Sequence, residues 1–94
     1  MIDLIGLDYF RNRFLGIVER KEKYIVFYLL DDGTIERGAK YLKRYYRDYD
    51  HFAEVLQQFH PYISLFREPI QVKDLNYETL LEAWQRVSVK RELL

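Results

Sequence analysis

The run "YIVFYLL", residues 24–30, places β-branched, aromatic and aliphatic residues side by side without a charged member. It has strand length, and its unbroken apolar character predicts a central strand covered on both faces. Its flanks define what adjoins it. Upstream, "FLGIVE" (14–19) reads as a second strand, and the charged "RKEK" (20–23) has the length of a hairpin loop. Downstream, Asp32-Gly33 supplies a residue that accepts the positive φ of a tight turn, and "TIERG" returns as a third strand. An antiparallel meander follows. "IDLIGLDYF" at the start fits either a strand or a short helix, and "EPIQV" (68–72), with Pro69 suited to an edge or a strand start, offers a fourth strand.

The second half of the chain changes period. In "DHFAEVLQQFH" the apolar residues Phe52, Ala53, Leu56 and Phe59 recur at helical spacing, Asp48 or Asp50 stands where an N-cap belongs, and His60-Pro61 marks the stop. "LNYETLLEAWQRVSVKRELL" opens on Asn76 as an N-cap and sets Tyr77, Leu80, Leu81, Trp84 and Val87 on one stripe. The expected fold is α+β: a three-stranded antiparallel meander, with a fourth strand where 68–72 joins it, packed on one face by two helices. Residues 1–94 are expected to form a single domain.

Composition narrows the function classes. Without cysteine there are no disulfides, thiolate nucleophiles or zinc ribbons, which fits a reducing compartment. The N-terminal "MIDLIGLDYFRNRF" lacks the basic head of a signal peptide, and no segment approaches the ~20 apolar residues of a membrane span, so a cytoplasmic, membrane-free protein is expected. Lys+Arg 15 balances Asp+Glu 15. That balance argues against general coating of a polyanion. It conceals an asymmetry: residues 1–47 hold ten Lys/Arg and seven Asp/Glu, or +3, and residues 48–94 hold five and eight, or −3. Halves of opposite sign attract within one fold or between two copies.

The stretch "AKYLKRYYRDYDHF" (39–52) interleaves tyrosines with cations. As one helix over 40–59 it puts Lys40, Lys43, Arg44 and Arg47 on a solvated arc and Leu42, Tyr45, Tyr46, Tyr49, Phe52, Ala53, Leu56 and Phe59 opposite them. As an extended segment it puts Tyr41, Lys43, Tyr45, Arg47 and Tyr49 on one face, a platform of rings for bases and cations for phosphates. The in-phase apolar stripe favours the helix. Under that reading Tyr45, Tyr46 and Tyr49, rings with one wet end, point to a protein partner, with self-association the simplest case. The alternative is nucleic-acid binding through Lys40, Lys43, Arg44 and Arg47, joined by Arg11 and Arg13.

Catalytic groupings are sparse. His51 and His60 fall on opposite sides of a shared helix and cannot hold one metal, although His51 with Asp50 and Glu54 forms a polar cluster. Asp8 followed by Glu19-x-Lys21 in "IVERK" resembles the metal-binding arrangement of PD-(D/E)xK nucleases, which implies two carboxylates on magnesium and a lysine supporting the attacking water. That family's parallel-sheet core departs from the meander read here. No Gly-rich phosphate loop or nucleophile elbow occurs. The residues therefore point to a non-catalytic binding module without a cofactor, with the metal nuclease as a further alternative.

Overall fold

The computed structural model describes residues 1–92. Strands β1 (Ile2–Phe10), β2 (Arg13–Arg20), β3 (Lys23–Leu29) and β4 (Ile35–Leu42) lead through a 3₁₀ turn (Lys43–Tyr45) to helix α1 (Tyr49–Phe59), then strand β5 (Ser64–Val72) and helix α2 (Tyr77–Glu92). The last two residues of the closing stretch lie outside the described residues. All five strands form one antiparallel sheet in the order β4-β3-β2-β1-β5. The α+β class and the meander are therefore as expected, but the sheet has five strands rather than three or four. The N-terminal segment is a strand, and 68–72 is the end of a longer one.

Two-residue hairpins explain the first two turns. Arg11 (φ 52) and Asn12 (φ 62) both take the left-handed conformation that matches strand twist, and Lys21 (φ 55) opens the second turn. Asn12 is suited to this geometry, and its side-chain oxygen accepts from the Tyr9 hydroxyl at 2.7 Å. Since that spends the Tyr9 proton, the 2.6 Å contact with Tyr77 has the Tyr77 hydroxyl as donor, which ties the start of α2 to the turn. The third turn uses Gly33 at φ 87, while Asp32 Oδ1 accepts from the Thr34 amide at 2.9 Å.

The helices do not share a face. Leu80 and Ala83 of α2 pack with Leu4, Leu7, Phe14, Phe27 and Leu29 on one side of the sheet. Phe52 and Leu56 of α1 pack with Ile5, Ile17, Tyr24 and Val26 on the other. This corrects the expectation of two helices on one face, and the reason is visible in β3: Tyr24 and Val26 serve the α1 layer while Phe27 and Leu29 serve the α2 layer. A strand apolar on both faces requires cover on both.

Irregularities adjust the pleat. Between Leu4↔Val18 and Gly6↔Ile17, β1 carries the unpaired Ile5, so Leu4 and Leu7 reach one layer and Ile5 the other. Opposite Ile5, β5 inserts residues 66–69 between Leu65 and Ile70, and Pro69 sits in this bulge on an outer strand. On the α2 face, a Cβ at Gly16 would stand 2.3 Å from the Phe27 ring, so only glycine lets that ring lie across β2.

The continuous helix over 40–59 is not formed. Tyr41 pairs with Tyr24 and Leu42 with Lys23, so β4 runs through Leu42. The Lys43 amide then donates to Glu22 O at 2.9 Å. Helix α1 begins only after Asp48, whose Oδ1 accepts from the His51 amide at 2.8 Å. A helix started at Lys40 would have faced four cations toward its own positive end; started at Asp48 it has a carboxylate there.

Candidate nucleic-acid interface

Strand pairing carries two basic segments to the same end of the sheet. Arg20 pairs with Lys23 across the β2–β3 hairpin, Lys23 pairs with Leu42, and Ile25 with Lys40. The Lys43–Glu22 backbone bond closes the gap between that hairpin and the 3₁₀ turn. Arg20, Lys21 and Lys23 thereby join Lys40, Lys43, Arg44 and Arg47. Of these, Lys43 alone has an ion-pair partner among the described residues: its Nζ donates to Glu19 and lies 5.3 Å from the Tyr24 ring centroid. The hydrogen bond to Glu19 raises the Lys43 pKa, the largest effect on this group. The others are exposed cations.

The tyrosines divide. Tyr41, Tyr46 and Tyr49 are half-buried and pack against the α1 layer around Phe52, which lies stacked on Tyr24 at 4.0 Å. Tyr49 donates to the Phe66 carbonyl at 3.2 Å, in the bulge of β5. Tyr45 is different. Its ring is 66% exposed, and the Arg44 guanidinium sits 5.1 Å from its centroid, with Nη2 donating to the Tyr45 hydroxyl at 3.3 Å. Tyr41, Tyr46 and Tyr49 thus reach the α1 layer from a strand end, a turn and a helix start rather than from one helix, while Lys43 and Arg44 lie against the Tyr24 and Tyr45 rings.

Burial pushes the Tyr49 pKa up to about 12, and burial raises Tyr24 and Tyr41 as well. A folded pKa above the ordinary phenol value of about 10 means these groups stabilise the fold fully below that pH and lose the contribution as pH rises through the folded value. Lys43 loses its charge over the same alkaline range. Tyr49→Phe is expected to cost about 1 kcal/mol at neutral pH through the lost hydrogen bond, and the gap to the parent protein is expected to close between pH 10 and 12. Urea unfolding followed by circular dichroism at both pH values checks this; a constant gap contradicts it.

The remaining candidates are dispersed. Arg11 and Arg13 lie at the opposite end of β2, Arg11 with its guanidinium 5.1 Å from the Phe10 ring and Arg13 bonded to Asp31 at 3.3 Å. They do not join the basic end. Asp8 pairs with Leu15 whereas Glu19 pairs with Asp3. Four residues of strand, about 13 Å, separate the two carboxylate positions, and Lys21 is an exposed turn residue. The structure does not bring the nuclease-like trio together. His51 Nδ1 accepts from the Arg47 amide at 3.1 Å, His60 ends α1, and no cluster of three metal-ligating side chains occurs among the described residues.

The chain matches no protein-family model, no curated protein and no solved structure. Among the described residues, no helix is long and apolar enough to cross a membrane. Arg20, Lys21 and Lys23 do not stand out along the sequence as members of the basic end. The signal that finds them is hairpin register: once the turn is set at Lys21-Glu22 and β4 extends through Leu42, the two charged runs must meet.

Proposed function

We propose that the protein is a binding module whose basic end takes up single-stranded nucleic acid. The observation that carries this is the meeting of Arg20, Lys21, Lys23, Lys40, Arg44 and Arg47, none with an ion-pair partner among the described residues, beside the exposed Tyr45 ring. Unpaired cations attract phosphates by counterion release, and an accessible ring gives a base a stacking surface. The zero net charge confines this attraction to one corner. Single strands fit better than a duplex because the cations sit on strand ends and turns. Helix α1 contains no Lys or Arg, so it is not a basic helix of the kind that reads a major groove.

The test is anisotropy of a labelled oligothymidine titrated with protein at several salt concentrations. If four phosphates are neutralised, log affinity should fall against log salt with a slope of about −3. Absence of binding at low salt removes this reading.

A second reading, self-association, is favoured by the other end of the molecule. There Phe10 (66% exposed) pairs with Arg13, which is bonded to Asp31, and the exposed Phe59 (67%) and Tyr62 (81%) lie in the segment leading to Ser64, the partner of Leu7 at that end of β1. A patch with apolar rings and a two-signed rim is complementary to a second copy of itself. Light scattering on the protein alone tests it, a monomer mass at high concentration counting against it.

A further inference from the structure

On the α2 face, the basic end continues into a cleft of about 220 Å³. Its floor is Val18, Ile25 and Ile35, Leu75 from the segment before α2 forms a wall, and Arg20 and Arg37 stand at its margin. The register explains the combination. Val18 lies opposite Ile25 and Arg20 opposite Lys23, while Ile25 and Phe27 face Lys40 and Arg37. Alternation therefore places Arg20, Lys23, Arg37 and Lys40 on the same face as the apolar floor. Glu19 also borders the cleft, but its carboxylate is tied to Lys43.

We infer that this cleft is a nucleobase pocket, receiving one base of the bound strand while Arg20, Lys23, Arg37 and Lys40 hold the phosphates on either side. This deepens the nucleic-acid reading and rests on it. An apolar floor with Arg20 and Arg37 at its margin, neither in an ion pair among the described residues, selects a ligand that is flat and apolar at one part and anionic at another. The volume is below the ~300 Å³ at which drug-sized pockets begin, which suits a single ring system. Arg20 belongs to both the cleft and the basic end, and Lys23 and Lys40 pair with Arg20 and Ile25 of its lining, so one strand can engage the two without a break.

The experiment compares a labelled oligothymidine with an abasic oligodeoxynucleotide of equal length, which has the phosphates but no bases. The parent protein is expected to bind the first about tenfold more tightly. Ile35→Trp, which fills the cleft, should remove most of that preference, and Arg67→Glu on the outer strand β5, outside the site, should leave it in place. A titration of the parent protein with thymidine monophosphate, read on Val18 and Ile35 methyl resonances, needs no variant; shifts confined to these positions support the pocket. Equal affinity for the two oligonucleotides, with full salt dependence, overturns the pocket and leaves the basic-end reading standing. No binding to either overturns the reading itself.

Discussion

Exchanging Arg44 and Arg47 for glutamate should weaken oligonucleotide binding at least tenfold and flatten the salt slope by about 1.4, since each lost phosphate contact removes about 0.7. Folding should be almost untouched. Both side chains are exposed and neither holds a carboxylate among the described residues, so the change in stability should stay within ~0.5 kcal/mol. The packing at risk is the Arg44 contact with the exposed Tyr45 ring. Reversal of Arg67, an exposed cation on the outer strand β5, is the matching control. It removes the same charge from the molecule as the single reversal Arg44→Glu, with which it is compared, yet should leave the slope in place. If both reversals weaken binding alike, the attraction comes from overall charge and not from this corner.

Phe52→Ala should be the most damaging single change, about 3–5 kcal/mol, because it removes a fully buried ring and leaves a cavity. Phe52 lies at the centre of the aromatic group formed by Tyr24, Tyr41, Tyr46 and Tyr49. It is also one of two fully buried side chains through which α1 meets the sheet, the other being Leu56. A domain with a total stability of 5–15 kcal/mol has little left after such a loss. The effect reaches the basic end, since the rings that hold the segment from Leu42 to Asp48 against the sheet lose their common support. Urea unfolding should show a much lower midpoint. A loss below 1 kcal/mol would mean that α1 is held by something other than this cluster.

The parts of the fold visible in the sequence are those decided locally. Continuous apolarity marks β3, Asp48 and Asn76 cap where capping residues stand, and His60 stops α1 before Pro61. Thr79 completes the second cap, its amide donating to Asn76 Oδ1 at 3.0 Å. What depended on pairing was hidden. The stripe from Leu42 to Phe59 keeps helical phase, but Tyr41, Tyr46 and Tyr49 reach one cluster from a strand, a turn and a helix. A core recruits rings from any backbone that comes near, so phase alone did not define the backbone. The side on which each helix packs was legible in principle: a strand such as "YIVFYLL", apolar on both faces, excludes two helices on one.

The candidate site shows the same division. The cations of 40–47 are evident in the sequence, whereas those of 20–23 become neighbours only through the register of β2, β3 and β4. Arg37 faces the cleft because β4 gains a residue between its pairings with Ile25 and Phe27, a bulge that no periodicity announces.

The central claim is that two segments distant in the chain make one site. Backbone amide shifts of the ¹⁵N-labelled protein, followed while a short oligothymidine is added at low salt, test it directly. Residues 20–23 and 40–47 are expected to move together along one binding curve while Phe10, Phe59 and Tyr62 stay still. Movement at only one of the two segments, or at the aromatic end instead, would contradict it.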